Sequence, residues 1–268
     1  MSDLFGSSRL GRALVSGAAW LTYVFLLVPS LVVIPISFGN PQQIEFPPRQ
    51  FGLDLYRQFF TDPAWWGSTV QSLFVAAVTT LLGLLLAVPA AYALARSRLP
   101  GRGALRGLFI MPMLVPVIVL GLGLYLQFSG WGLLDTTAGI VLAHVMLTTP
   151  YIMVAVMSGL NHADVALETV ASIMGASRRT IFFRVVLPQL KPAIAIGTLF
   201  AFLMSLDEVV VAYFLTGPAS MTLPVKMFSS IRWELTPVLA AVSTLLTVLS
   251  LLIALGIIAL QRKSEAAA

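Results

Sequence analysis

The stretch Asn161–Lys191 reads NHADVALETVASIMGASRRTIFFRVVLPQLK and separates two long hydrophobic segments of the chain. It combines a short amphipathic pattern, a Gly-Ala-Ser break, three arginines and a Leu-Pro step. This pattern is too ordered for a simple connector, whereas the segments on both sides are apolar enough to lie in a bilayer. We therefore expect this polar stretch to be the part of the chain that meets another molecule outside the membrane.

The composition is typical of a membrane protein. Of the 268 residues, 58% are hydrophobic and 10% are charged, and the mean hydropathy is +0.94. A soluble domain carries roughly 25% charged residues. The chain has no cysteine and two histidines, which excludes disulfides and thiolate metal sites and predicts no metal or cofactor bound by this chain.

Six runs are long enough to cross the roughly 30 Å of a bilayer core as helices. They are Ala13–Ile36, Gly67–Ala95, Gly107–Gln127, Thr136–Leu160, Ala193–Thr216 and Leu235–Gln261. The first run is longer than the apolar core of a signal peptide and lacks an Ala-x-Ala cleavage site, so we expect it to be retained. The sequence thus predicts an all-α membrane protein with six transmembrane helices and both termini on one side.

The basic residues assign that side to the cytoplasm. Twelve of the 16 lysines and arginines fall in the two terminal tails, the loop after the second run and the Asn161–Lys191 stretch. These are Arg9, Arg12, Arg96, Arg98, Arg102, Arg106, Arg178, Arg179, Arg184, Lys191, Arg262 and Lys263. Loops rich in lysine and arginine stay inside. The net charge of +5 therefore follows from topology, and we expect membrane lipid rather than nucleic acid as a partner.

The runs divide the chain into three regions. Residues 1–66 hold the N-terminal tail, the first span and a periplasmic segment, in which Asp54–Phe60 predicts a short helix at the membrane surface. Residues 67–261 form the transmembrane core, and 262–268 a cytoplasmic tail. Prolines inside the predicted spans, such as Pro112 and Pro116, indicate either packing kinks or a substrate cavity.

The polar stretch itself predicts a capped helix. Asp164 is suited to cap a helix from Val165 to about Met174, and Gly175 suits the left-handed residue that ends it. Val170 and Ile173 contribute to an apolar stripe on that helix. A stripe outside the bilayer needs a covering surface, either the membrane itself or a groove of a cytoplasmic partner.

The order Glu168-Thr169-Val170-Ala171, three residues, Gly175-Ala176-Ser177, and then Leu187-Pro188 resembles the EAA loop. This loop belongs to permease subunits of binding-protein-dependent ATP-binding-cassette (ABC) importers. The resemblance implies that these residues couple the chain to an ATPase subunit, with the loop helix docked in its cleft. The family's acidic position aligns with Thr169, and Glu168 stands next to it. Which of the two makes the polar contact with the ATPase is left open.

Further motifs resemble the spermidine/putrescine branch of these permeases, in particular its second permease subunit. They are Ala90–Arg98, Pro100-Gly101-Arg102, Ser205-Leu206-Asp207-Glu208, Thr216-Gly217-Pro218 and Thr222-Leu223-Pro224. The resemblance implies a type I ABC importer permease fold in the bacterial inner membrane. It also implies two ATPase subunits, a second homologous permease forming a heterodimer, and a periplasmic solute-binding protein as partners. ATP and Mg would be bound by the ATPase, because this chain has no Gly-rich phosphate loop.

Asp207 and Glu208 interrupt the fifth predicted span. On a continuous helix, Asp207 would lie about 21 Å from the inner end at 1.5 Å per residue, and charges at such depth are functional by default. For a cationic substrate, carboxylates and aromatic rings supply ion pairs and cation–π contacts. The predicted substrate pathway comprises Asp207, Glu208, Tyr125, Tyr151 and Tyr213. The alternative is that the acids pair with Lys226 or Arg232, or hold a subunit interface. His144 is expected to be a hydrogen-bonded interior residue.

The sequence therefore favours a non-catalytic permease subunit of an ATP-driven importer, with a polyamine or similar small organic cation as substrate. Import of another solute, such as an opine, an amino-acid derivative or iron, is the alternative within this class. An ion-coupled carrier that uses Asp207 and Glu208 as cation sites is a second possibility, and inverted repeats would favour it. A membrane enzyme is third, because no cluster of polar catalytic residues is evident.

Overall fold

The computed structural model describes residues 9–97 and 100–265, and every regular element in that part of the chain is a helix. In chain order these are α1 Arg9–Ile36, α2 Asp54–Thr61, α3 Pro63–Arg96, α4 Arg102–Ile110, α5 Val117–Trp131, α6 Thr137–His162, α7 Val165–Ile173, α8 Arg178–Ile181, α9 Leu187–Gln189, α10 Lys191–Leu206, α11 Val210–Leu215, α12 Leu223–Trp233 and α13 Val238–Glu265. The all-α prediction is confirmed. Arg98 of the charge argument and the last three residues of the predicted tail lie outside the described residues.

Several of these helices are long and apolar enough to cross a membrane. In the described residues, α1, α3 and α6 meet this criterion individually. Two bent pairs meet it jointly: Arg102–Met113 with α5, bent by 98°, and Arg178–Gln189 with α10, bent by 74°. The described apolar part of α13, Val238–Leu252, is shorter. Three to five spans follow from length and composition, and the count of six and the side of the termini stay predictions.

The third predicted span, Gly107–Gln127, corresponds to two helices at a sharp bend. α4 ends at Ile110, a 3₁₀ turn covers Met111–Met113, and α5 begins only at Val117. Pro112 and Pro116 explain the break, because proline lacks an amide hydrogen and disfavours helical backbone at the preceding residue. The structure shows both features that these prolines indicated, since the chain bends by 98° between the two helices and Pro112 lines a cavity.

The fifth predicted span, Ala193–Thr216, is wrong as a continuous helix. α10 ends at Leu206 with Asp207 as its C-cap, and α11 begins at Val210. The acidic pair therefore lies at a break between two helices and not inside one. The depth of about 21 Å calculated along a continuous helix does not apply to Asp207.

The described chain divides into two compact units. One unit comprises the residues up to Trp66 together with those from Ser229, and the other is Gly67–Phe228. In the first unit, α13 packs against α1 and α2, and α2 corresponds to the short helix predicted at Asp54–Phe60. The last helix belongs to the same unit as the N-terminal segment, and the predicted division at residues 66 and 261 stays a prediction.

The second unit is built around α6, which packs most extensively against α10. Its main core combines buried side chains of α3, α6 and α10 with three residues of the polar stretch, Ile181, Val186 and Leu190. These three buried residues attach the stretch 161–191 to the core of the second unit. Because one side of the stretch is buried in this way, the opposite face of α7 is directed away from the core.

Candidate functional site

A cavity of about 320 Å³ lies in the second unit beside the break between α10 and α11. Its walls come from the turn before α5, from α6, and from the residues on both sides of the break. The lining residues are Pro112, Met113, Val115, Val117, His144, Leu147, Thr148, Tyr151, Met204, Ser205, Asp207, Glu208, Val209 and Val210. The cavity is thus largely apolar, with a small group of polar side chains that the two broken helices bring together.

Glu208 is held by the fold. Its Oε1 accepts a hydrogen bond from the backbone N–H of Val211 and its Oε2 one from that of Ala212, both at 2.8 Å. These amides belong to the first turn of α11 and have no partner within the helix, so the carboxylate caps α11. Oε2 also lies 3.5 Å from Nε2 of His144. The Glu208 carboxylate therefore stabilises the start of α11, and its oxygens have little remaining capacity to bind a ligand.

His144 connects α6 to the end of α10. Its side chain is 1% exposed, and its Nδ1 lies 2.8 Å from the hydroxyl of Ser205. Together with the contact to Glu208, this places the imidazole between two groups that flank the break. The prediction of a hydrogen-bonded interior residue is confirmed.

Asp207 differs from its neighbour in both exposure and partners. The side chain is exposed and lines the cavity. Within the described residues, its carboxylate makes no hydrogen bond or ion pair, and its backbone N–H is bonded to the carbonyl of Leu203. Of the predicted acidic pair, Asp207 is thus the member that is available to a ligand.

The three predicted tyrosines separate in the structure. Tyr151 lines the cavity together with Asp207 and Glu208. Tyr125 is exposed on α5, and the ring of Tyr213 packs edge-on against Phe228 with centroids 5.4 Å apart. Neither of these two lines the cavity. The structure therefore brings three of the five predicted pathway residues together.

The second site is the α7 loop, whose helix forms as expected. Asp164 accepts a hydrogen bond from the N–H of Ala166 at 2.8 Å, and α7 runs over Val165–Ile173. Gly175 follows with a φ of +83°, a conformation that favours glycine. Both ends of the predicted helix are thus confirmed.

The outer face of α7 is a broad apolar surface. Ile173 and Met174 are 80% and 82% exposed, and Val170 is exposed beside them. Val165 and Leu167 are exposed as well, although the sequence pattern did not single them out. Among the predicted coupling residues, those exposed are Thr169, Val170, Gly175, Ser177 and Pro188.

The inner face of α7 is polar at one position and apolar elsewhere. Glu168 Oε1 accepts a hydrogen bond from Arg96 Nε at 2.9 Å, and its Oε2 accepts one from the hydroxyl of Tyr92 at 3.3 Å. The other inward predicted residues, Ala171, Ala176 and Leu187, pack against the core of the second unit. The Arg96 contact was not predicted, because it joins residues 72 positions apart and leaves no local pattern.

The Leu-Pro step lies after a widened helical turn. Residues Phe182–Val186 form a π-helical turn that is followed directly by Leu187-Pro188. Proline removes one helical hydrogen bond and crowds the preceding turn, and a π turn relieves both effects. Gln189 then donates to the carbonyl of Val185 at 3.0 Å and accepts from the N–H of Asp164 at 2.9 Å, which ties the step to the start of α7.

Asp135 forms a third polar cluster that the sequence did not reveal. Its Oδ1 accepts hydrogen bonds from the N–H of Gly217 at 2.9 Å, and from the N–H and hydroxyl of Ser220 at 3.0 and 2.8 Å. The hydrogen bond from Ser220, more than any other contact, lowers the pKa of Asp135 below its ordinary value. A Cβ on Gly217 would lie 2.6 Å from the Asp135 carboxylate, so a larger residue there would displace that carboxylate.

This chain matches a known family over most of its length. Residues 80–266 match the family described as "Binding-protein-dependent transport system inner membrane component". The spermidine/putrescine transport system permease protein PotC of Haemophilus influenzae is 31% identical over 232 residues, which cover 87% of this chain and 90% of that protein. The putrescine transport system permease protein PotI of Escherichia coli is 33% identical over 233 residues, covering 84% and 83%. The molybdate/tungstate transport system permease protein WtpB of Pyrococcus furiosus is 34% identical over 199 residues, covering 73% and 79%.

Solved structures share the fold. A bacterial ABC transporter involved in the import of the acidic polysaccharide alginate matches with a TM-score of 0.75 and 19% identity, over 94% of this chain and 97% of that one. The alginate transporter in complex with its alginate pentasaccharide-bound periplasmic protein matches with a TM-score of 0.73 and 17% identity, over 95% and 94%. The chain thus belongs to the family of binding-protein-dependent transport system inner membrane components, as a multi-pass permease subunit of an ABC importer.

Proposed function

We propose that this permease carries a polyamine or a similar small organic cation across the inner membrane of a bacterium. The observation that carries the proposal is the unpaired carboxylate of Asp207 in a cavity that, among the described residues, has no lysine or arginine in its wall. Two relatives named as spermidine/putrescine and putrescine permeases support it.

The charge of the cavity favours a cation. Glu208 is engaged by the backbone of α11 and by His144, so the free charge belongs to Asp207. An ammonium about 4 Å from a carboxylate gains about 4 kcal/mol at an effective dielectric constant of about 20. The apolar lining suits a methylene chain, and the ring of Tyr151 suits a cation–π contact.

The same charge disfavours the other solutes considered. The molybdate/tungstate relative has a comparable percentage identity, although over fewer residues than the polyamine relatives, so identity alone does not choose between them. An oxyanion would meet the Asp207 carboxylate without an arginine or lysine in the described lining to bind it. An opine or an amino-acid derivative carries a carboxylate as well, and the described lining again offers no lysine or arginine to pair with it.

We further propose that the outer face of α7 docks on a separate ATPase subunit, which binds ATP and Mg and supplies the energy. Ile173, Met174 and Val170 expose a continuous apolar surface at the tip of an anchored loop. Such a surface suits burial in a protein groove. The complete importer would contain two ATPase subunits, a second permease and a periplasmic solute-binding protein. Its α7 loop and both termini would face the cytoplasm.

Purification of a tagged chain tests this assembly. The wild-type chain should co-purify with an ATPase subunit and a second permease. Met174→Ser should reduce the recovered ATPase roughly tenfold, because about 1.4 kcal/mol of lost apolar contact produces that change. The variant should remain folded, since the side chain is exposed. A stable monomer whose transport survives ATP depletion, but not loss of the proton gradient, would establish the secondary carrier instead.

Uptake of labelled putrescine and spermidine into proteoliposomes that contain the whole importer tests the substrate. Asp207→Asn should lower uptake at least tenfold, equivalent to about 1.4 kcal/mol or more of lost interaction, with assembly unchanged. Asp54→Asn is the matched control, because this carboxylate is exposed on α2 and does not line the cavity. Equal uptake by Asp207→Asn and wild type would remove Asp207 from the substrate site, and no uptake by wild type would reject the polyamine class.

A further inference from the structure

A polar cluster under α7 joins three helices of the second unit. Arg96 is the last residue of α3. Its Nε donates to Glu168 Oε1 on α7 at 2.9 Å, and its Nη2 donates to the carbonyl of Leu160 on α6 at 3.2 Å. Tyr92, one turn earlier on α3, donates to the other carboxylate oxygen of Glu168 at 3.3 Å. Both oxygens of Glu168 are therefore bound by α3.

The ion pair of the cluster is largely buried, although the cluster forms part of the wall of an open surface cavity. The side chains of Arg96 and Glu168 are 23% and 11% exposed. The ring of Tyr92 packs on Phe182 at the start of the π turn, with centroids 5.0 Å apart. Exposed ion pairs contribute little, whereas shielded pairs with full hydrogen bonding fix geometry. The cluster thus sets the position of α7 relative to α3 and α6.

This arrangement also bears on the adjacent residues of the EAA-like motif. Glu168 faces inward and is fully engaged, while Thr169 is exposed and bonds its own helix, with its hydroxyl donating to the carbonyl of Val165 at 3.1 Å. The acidic residue of the motif is thus not presented on the outer face of α7. Its partner is a residue of the same chain.

We infer that Arg96 is a positioning residue for ATP coupling, which acts through Glu168. Apolar contacts allow helices to slide past one another. The planar guanidinium of Arg96 is bound to two different acceptors, so it fixes both the distance between the helices and their relative orientation. A displacement of α7 is therefore passed to the C-terminal ends of α3 and α6 as one rigid motion. This inference rests on the proposed docking of α7 on an ATPase, and it is independent of which solute is carried.

Two measurements on the reconstituted importer test it: the rate of ATP hydrolysis, and the solute imported per ATP hydrolysed. Arg96→Ala and Glu168→Ala should each lower the import per ATP about tenfold, within the usual range of coupling energies, with hydrolysis within about twofold of wild type. The double variant should match either single variant, because one interaction is lost once. Arg96→Lys should fold and recover part of the coupling, since lysine keeps the charge but not the fork.

Arg106→Ala is the matched control, because this arginine is exposed on α4 and makes no ion pair within the described residues. It should leave the import per ATP unchanged. Additive losses in the double variant would overturn the inference. So would loss of the ATPase subunit on Glu168→Ala but not on Arg96→Ala, since Glu168 would then contact the ATPase directly.

A solute-independent measurement separates this inference from the substrate proposal. The chain has no cysteine, so Ser172→Cys gives a unique site in this chain for a nitroxide spin label on α7, at an exposed position outside the proposed docking surface. Arg96→Ala should increase the mobility of that label, and an unchanged spectrum would overturn the positioning role. If wild type imports no polyamine but the label responds, the substrate proposal alone fails.

Discussion

Two pairs of adjacent polar residues, one in α7 and one at the break after α10, show the same division. In α7, Glu168 is bound by Arg96 while Thr169 is exposed. At the break, Glu208 is bound by the backbone of α11 while Asp207 is exposed in the cavity. In each pair, one side chain is bound by other groups of the chain and its neighbour is exposed. Adjacent polar residues in this chain therefore have different roles, which their chemistry alone does not distinguish.

The two pairs differ in what binds the inward residue. Glu168 has a charged partner that comes from another helix, so its interaction links α7 to α3. Glu208 binds the N-terminal amides of the helix that follows it, so its interaction holds a local turn. The first region is therefore suited to transmit motion. The second is suited to keep a cavity open with Asp207 pointing into it.

The largest loss of stability is expected for Glu208→Ala, which tests the difference between the bound acid and its exposed neighbour. The substitution uncaps α11 and removes the carboxylate beside the buried His144, which should cost about 3 kcal/mol of stability. Thermal unfolding of the purified complex measures the loss. Asp207→Ala is the matched control and should unfold as wild type does while losing uptake. Equal destabilisation by both variants would contradict the division between the two acids.

A smaller effect is expected for Asp135→Asn, which tests a third carboxylate bound by the fold. Asparagine keeps the shape but loses the charge that receives hydrogen bonds from Gly217 and Ser220, so the variant should be about 1–2 kcal/mol less stable at neutral pH. Thermal unfolding of the two proteins side by side measures this difference.

The pH dependence of that difference has a definite sign. Since the pKa of Asp135 is lowered in the folded chain, the carboxylate contributes fully above about pH 4, the ordinary pKa of aspartate, and its contribution is lost as the pH falls towards the lower folded pKa. The gap between wild type and Asp135→Asn should therefore narrow in acid. A gap independent of pH would show that the carboxylate charge is not the stabilising group.

The smallest effect is expected for Thr169→Glu, which restores the family's acidic position. Thr169 is exposed and lines an open surface cavity whose wall also contains Arg178. The new carboxylate is therefore accommodated there. Stability should change by less than about 0.5 kcal/mol, and uptake should stay within about twofold of wild type, because Glu168 keeps its partners. Loss of uptake, with the ATPase still bound, would show that the hydroxyl of Thr169 is itself needed.

Local sequence patterns predicted the α7 loop but not the contacts that its residues make with distant parts of the chain. Asp164 and Gly175 mark the ends of α7 within a dozen residues of sequence, so cap and turn chemistry were sufficient. The break after Leu206 was not predicted, because hydropathy counts apolar residues and does not register helix direction. The acidic pair was the available signal.

The candidate site shows the same limit. The sequence identified Asp207 and Glu208 as functional residues, but only three-dimensional structure separates them, because Glu208 finds its partners in the next helix and in His144, 64 positions earlier. The contacts of Asp135 with Gly217 and of Arg96 with Glu168 span 82 and 72 positions. Pairs so distant in sequence leave no periodicity, and neither was predicted.

The break after Leu206 has an electrostatic consequence of its own. The peptide dipoles of α10 place partial negative charge at its C-terminal end, where Met204, Ser205 and Asp207 line the cavity. The opposite partial charge, at the start of α11, is compensated by Glu208. At the end of α10 the backbone and the Asp207 side chain therefore act with the same sign, whereas α5 presents the opposite, positive end of its dipole to the same cavity at Val117.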